Sequence, residues 1–117
     1  MNRSTAREEA FKIIFQLDFD HDNEHEHLDP FTMQLVKGVE DNKEKIDQKI
    51  IDHLKNWSFH RLPLVERTIL RLATFELIYV DDIPNGVSIN EAVELANKYG
   101  DEKSGKFVNG VLAKIIE

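Results

Sequence analysis

Residues 63–86 read PLVERTILRLATFELIYVDDIPNG, and their pattern decides the fold class. Pro63 suits the first turn of a helix, where a backbone N–H has no intrahelical partner and a fixed φ is an advantage. Beyond it, Ile69, Leu70, Leu72, Ala73, Phe75, Leu77 and Ile78 occupy more than one face of a helical wheel. A helix that is apolar on several sides predicts a central element contacted from several directions. Asp81-Asp82-Ile83-Pro84-Asn85-Gly86 then supplies the turn chemistry that stops it. No segment alternates with the period of a strand, and there is no repeat or low-complexity linker, so the chain reads as all-α.

Working outward, Ser88-x-x-Glu91 predicts a capping box opening a helix through Ala92, Val93, Ala96 and Tyr99. Gly100 at C′ closes that helix. A last helix, over about 104–116, carries Phe107, Val108, Val111, Leu112 and Ile115. Upstream, Ile46, Ile50, Leu54 and Trp57 recur at helical spacing and predict a helix over about 42–57. Asp29-Pro30 starts another, with Asp as N-cap and Pro at the first helical position, and Phe31, Leu35, Val36 and Val39 on its apolar face. It is expected to end within 38–41. At the front, Thr5-x-x-Glu8 predicts a capping box, followed by the stripe Ala10, Ile13, Ile14, Leu17 and the neighbouring pair Phe11 and Phe15. That helix should end near 18–20. Six helices with short connections predict a single domain built as one helical bundle or as two back to back, the natural division at 58–62 giving subdomains of about 1–58 and 59–117.

The bulk numbers narrow the function. In 117 residues, 41% hydrophobic and 32% charged content is enough for one packed core and too apolar for a disordered chain. No run approaches the roughly 18–20 apolar residues of a membrane span, and the N-terminus lacks the apolar stretch of a signal peptide, so the expected location is the cytoplasm. The absence of cysteine excludes disulfides, thiolate zinc sites and a cysteine nucleophile. A net charge of −7 argues against a generic nucleic-acid binder, because phosphate neutralisation drives non-specific affinity. Any RNA contact must therefore rest on local charge.

Candidate chemistry is sparse. Residues 18–29, DFDHDNEHEHLD, place Asp18, Asp20 and Asp22 at positions 1, 3 and 5 of a twelve-residue window, as a calcium loop does. The window has Asn23 where the turn needs glycine, His25 where an apolar residue is usual and Asp29 in place of a bidentate Glu, so a solvated acidic loop is the better reading. His21, His25 and His27 lack a helical pair spacing for a transition metal, and His53 and His60, flanking Trp57, read as surface or interface residues. There is no Gly-x-Ser-x-Gly, phosphate-cradling glycine loop or His-Glu-x-x-His. Two features stand out. Arg3 and Arg7 lie four apart, on one side if the first helix extends that far, where spacing alone favours plain surface charge. Lys103 and Lys106 surround the start of the last helix, whose free N–H groups form a natural anion site, with Phe107 beside them for base stacking. A core Phe107 with two solvated lysines fits the same spacing better.

The segments Trp57-Ser58-Phe59-His60-Arg61-Leu62, residues 65–77 (VERTILRLATFEL), Ile83-Pro84, residues 87–96 (VSINEAVELA), Tyr99-Gly100 and residues 106–112 (KFVNGVL) resemble, in order and spacing, the NusB family. The N-terminal half is similar more loosely, through Ala6-Arg7-Glu8-x-Ala10. The resemblance implies two small perpendicular helical bundles and no enzyme: no catalytic residue, no cofactor and no metal. It implies a factor that binds boxA-type single-stranded RNA together with NusE, a ribosomal protein. With other Nus factors the pair would join the RNA polymerase elongation complex and suppress termination, chiefly on ribosomal RNA operons. By the same resemblance Arg3 and Arg7 fall in an arginine-rich segment that touches RNA, thinner here and followed by Glu8 and Glu9. Phe15 takes the place of an RNA-facing aromatic that is often Tyr, and Lys106 and Phe107 lie near the RNA surface. Lys103 stands where an acid is common and would favour phosphate. Glu66 and Glu76 are expected as exposed acids facing the basic partner, and Arg71, on the same helix, as a contact on either surface. Three alternatives are a similar domain attached to a ribosomal RNA methyltransferase, a homodimeric interaction module and a metal-binding regulator built on 18–29. The absence of a cofactor-binding domain makes a free-standing factor the expectation over the first.

Overall fold

The computed structural model describes residues 1–18 and 29–117, so the acidic loop with Asp20, His21, Asp22, His25 and His27 lies outside the described residues. Six α-helices are described: α1 Arg3–Leu17, α2 Pro30–Asp41, α3 Lys43–Ile51, α4 Leu64–Tyr79, α5 Asn85–Tyr99 and α6 Glu102–Ile115. A single 3₁₀ turn, Phe59–Arg61, precedes α4. No strand occurs among the described residues, and no described helix is long and apolar enough to cross a membrane.

The expectation for residues 63–86 holds. Pro63 with φ −54° leads into α4, which packs against each of the other five helices. Ile69, Leu70, Leu72, Ala73 and Phe75 are buried in one core that also takes Phe11 and Ile14 of α1, Leu35 and Val39 of α2, Ile46 and Ile50 of α3, and Val108 and Leu112 of α6. Asp29 caps α2 by accepting from the N–H groups of Phe31 and Thr32, with Pro30 in the first turn. The Thr32 hydroxyl donates to the Ala6 carbonyl, 3.2 Å away, tying α2 to α1.

Four helix ends differ from the sequence reading. The first helix begins at Arg3, because Asn2 accepts from the Thr5 N–H at 2.8 Å and is as good a cap as Thr. Glu8, released from a capping role, pairs with Lys98 at 2.6 Å, and that ammonium holds its carboxyl below the ordinary range. Helix α5 begins three residues before Ser88, after Pro84 with φ −59°, and the Ser88 hydroxyl is buried and committed elsewhere. Helix α3 stops at Ile51, and Asn56 with φ 66° turns the chain, leaving Trp57 61% exposed and not in the core. Gly100 is the C-cap, at φ −111°, so it needs no left-handed backbone; a Cβ there would strike the Ser104 side chain and the Ala96 carbonyl.

Gly38 faces the ring of Phe75, which would collide with any Cβ at that position. Overpacking costs about 1–3 kcal/mol, and the better helix propensity of alanine returns up to about 1 kcal/mol. Gly38→Ala should therefore lose about 1–2 kcal/mol. Gly110 in α6 faces open space, so Gly110→Ala should gain about 0.5–1 kcal/mol. Thermal melts of the two variants check both signs.

Candidate nucleic-acid interface

Glu66 and Glu76, expected to meet the protein partner, lie toward the two ends of α4, with Arg71 between them. Glu66 and Glu76 are ten positions apart, about 15 Å along the helix axis. Arg7 bonds to Glu76 at one end, and Ser104, beside Lys103, bonds to Glu66 at the other.

At the Glu76 end, Arg7 is only 3% exposed and Glu76 only 2%. Arg7 Nε donates to both carboxylate oxygens, at 3.0 and 2.9 Å, and Nη1 reaches Glu91 Oε1 at 3.5 Å. The Ser88 hydroxyl donates to Glu76 Oε1 at 3.1 Å. Burial pushes the Glu76 carboxyl above its ordinary value, and the Arg7 guanidinium opposes that rise. Arg7 is therefore not a free RNA contact, and Glu76 is not an exposed acid. The two form a buried ion pair that joins α1 to α4 and α5. Arg3 is half-exposed: it pairs with Asp82 at 2.9 Å, and its guanidinium carbon lies 4.9 Å from the Phe31 ring centre.

Arg71 is corrected for the same reason. It is buried, with its guanidinium forked onto Asp47 at 2.7 and 3.0 Å and lying 5.2 Å from the Phe59 ring centre. It holds α3 to α4, and its guanidinium is committed to Asp47. Phe15 is partly buried, 5.8 Å from Phe11, which in turn packs 4.8 Å from Tyr99.

At the Glu66 end, Lys103 and Lys106 are exposed and have no ion pair among the described residues. Phe107 is half-buried, edge-on to Trp57 with ring centres 5.6 Å apart. The anion site expected at the start of α6 is already filled: Asp101 accepts from the Ser104 N–H at 2.9 Å, and the Ser104 hydroxyl accepts from the Asp101 N–H, completing a capping box. That backbone hydrogen bond from Ser104 lowers the Asp101 carboxyl below its ordinary value. Any phosphate here must be held by lysine side chains. Glu66 is also not an exposed acid; it is 8% exposed, accepts from the Ser104 hydroxyl on one oxygen, and its other oxygen is buried without a partner among the described residues. Glu66 lines a cavity of about 300 Å³ together with Trp57, Leu62, Pro63, Asp101, Lys103, Ser104 and Phe107.

Lys103, Lys106 and Phe107 lie together at the start of α6, and sequence reasoning missed Trp57 beside them. The signal was Asn56, a residue type that tolerates positive φ and breaks the helical stripe before Trp57 can join it. Among the described residues, no group of three or more His, Asp or Glu is placed to hold a metal ion.

A family model described as the NusB family matches residues 4–117. The "Transcription antitermination protein NusB" of Oceanobacillus iheyensis is 54% identical over 125 residues, covering 99% of this chain and 99% of that protein. The protein of that name from Bacillus subtilis is 47% identical, covering 98% and 95%. Among solved structures, T. maritima NusB superposes with a TM-score of 0.89 at 39% identity, over 98% of this chain and 90% of that one. A NusB described with NusE in complex with double-stranded RNA superposes with a TM-score of 0.84 at 35% identity, over 97% and 94%.

Proposed function

The chain belongs to the NusB family, and from that premise we propose that it is a transcription antitermination factor. In this reading it binds boxA-type RNA together with NusE and joins the RNA polymerase elongation complex with other Nus factors, mainly on ribosomal RNA operons in the cytoplasm. Its work is assembly by coupled binding, which requires no bond to be made or broken. The observation that carries this reading is similarity along nearly the whole chain to antitermination proteins, at 54% identity to that of Oceanobacillus iheyensis. A solved relative in complex with NusE and RNA supports both partners.

The surface we assign to RNA is the Lys103, Lys106 and Phe107 corner of α6, with Arg3 and Phe15 as outlying contacts. Two unpaired ammonium groups beside exposed aromatic edges suit a phosphate backbone and stacked bases. We assign the basic partner to the turn between α4 and α5. There Ile78, Tyr79 and Val87 are exposed next to the exposed acids Asp81 and Asp82. Apolar area with acidic neighbours suits a cationic protein, and rim charges chiefly set the association rate. The double variant Asp81→Lys/Asp82→Lys should slow association with NusE about tenfold at low salt and leave the melting curve nearly unchanged. Unaltered association kinetics would remove this assignment.

The reading is tested by transcription in vitro through a terminator placed downstream of a boxA sequence, with RNA polymerase, NusE and the other Nus factors present. Adding the protein should raise the fraction of full-length transcript on the boxA template and leave a boxA-deleted template unchanged. Equal readthrough with and without the protein on both templates would count against antitermination.

A further inference from the structure

We propose that the cavity between the start of α4 and the start of α6 is a pocket for one unpaired nucleobase carrying an exocyclic amino group, with Glu66 as its selectivity-determining residue. The inference rests on the RNA-binding reading above. It goes beyond that reading by assigning a base class to one position and naming the group that reads it.

Three chemistries meet in this cavity. Trp57 and Phe107 give it aromatic walls, and the 61% exposure of Trp57 is not explained by packing. Such walls accept the flat face of any base. Lys103 lines the rim without an ion pair among the described residues and is placed for a phosphate. Glu66 sets the choice of base. One of its oxygens is held by the Ser104 hydroxyl; the other is buried with no donor among the described residues. A buried acceptor of this kind takes its donor from outside the chain, from water in the free protein and from a ligand group that displaces it. The amino group of cytosine or adenine, or the N1–H and amino edge of guanine, supplies one. Uracil offers only an N–H flanked by two carbonyl oxygens, which a carboxylate repels. A cationic side chain from a protein would match Glu66, Asp101 and the rings, but it would meet Lys103 at the rim and leave that ammonium without a partner. A nucleotide uses all three features.

Trp57 is the only tryptophan in the chain, so its emission reports on the pocket directly. The experiment titrates the full chain with single-stranded oligocytidylate and oligouridylate of about 12 nucleotides, reading Trp57 fluorescence and, independently, co-sedimentation. Oligocytidylate should quench Trp57 and bind about tenfold more tightly than oligouridylate. Glu66→Gln, which presents an amide donor in place of a pure acceptor, should bring that ratio to within about twofold. Trp57→Ala, at an exposed position, should weaken oligocytidylate binding about tenfold by co-sedimentation with the melting curve unchanged. An undiminished cytidine preference in Glu66→Gln, or RNA that sediments with the protein without altering Trp57 emission, would overturn the pocket and leave RNA binding standing. Failure of every RNA to co-sediment, alone or with NusE, would remove both readings. A Trp57 response to NusE alone that vanishes in Glu66→Gln would give the cavity to a protein side chain and overturn the proposal.

Discussion

Arg7→Met is expected to cost about 3–5 kcal/mol of folding free energy at neutral pH, the largest loss from any single substitution considered for this chain. The side chain is 3% exposed and gives two hydrogen bonds to a carboxylate that is itself 2% exposed. Methionine fills a similar volume, so the loss comes from leaving the Glu76 charge buried with only the Ser88 hydroxyl as a close partner. Replacing both members, as Arg7→Met/Glu76→Gln, removes the orphaned charge and should recover much of the loss. The pH dependence has a definite sign. Burial already raises the Glu76 carboxyl in the folded protein, and without Arg7 nothing as strong opposes that rise. A raised folded value means the protonated form is favoured by folding. Its stabilising contribution is complete below the ordinary value near 4.5 and is lost as pH climbs through the raised value. The penalty of Arg7→Met should therefore shrink as pH falls from neutral toward that range. Urea denaturation at several pH values measures it. A penalty below about 1 kcal/mol, or one that grows on acidification, would show that the pair is not the buried anchor described.

Phe107→Ala should weaken binding of boxA-type RNA roughly tenfold to a hundredfold, the range that follows from losing a base-stacking ring. Phe107 has one side against the core and an edge on Trp57, so the exposed ring face beside Lys103 and Lys106 is what RNA can reach. The substitution also removes packing, so circular dichroism and a melting curve must show that the variant is folded at the assay temperature. Phe107→Tyr keeps the ring and should stay within about threefold of the parent. RNA affinity unchanged in a folded Phe107→Ala protein would move the interface away from α6.

How much of this was legible in the sequence depended on distance along the chain. The central helix, the Asp29-Pro30 start and the Lys103, Lys106 and Phe107 corner came from contiguous patterns, where periodicity and local chemistry suffice. The roles of Arg7, Glu76, Arg71 and Glu66 did not. Their partners lie 69, 24 and 38 positions away for Arg7–Glu76, Arg71–Asp47 and Ser104–Glu66. A charged residue with no visible neighbour in sequence reads as solvated, because buried charge is rare unless paired. Only the fold supplies the pair. The two misplaced capping boxes have a different cause. Thr5 and Ser88 both carry the right spacing to an acid, but Asn2 and Pro84 each start the helix earlier, and a residue inside a helix cannot cap it. The net charge also reads differently with the ion pairs in place. Arg3, Arg7, Arg71 and Lys98 are each tied to a carboxylate, whereas Lys103 and Lys106 are among the cations that have no ion pair among the described residues.

The most direct measurement is the affinity of the full chain for a boxA-type single-stranded RNA, with and without purified NusE, across a salt series. Coupled assembly predicts binding that tightens when NusE is present and weakens steadily with salt. Because few phosphates are neutralised, the slope for the protein alone should be shallow, about one to two released counterions, and should fall by about one in Lys103→Gln. Affinity that is indifferent to NusE, or a salt slope untouched by Lys103→Gln, would contradict the account.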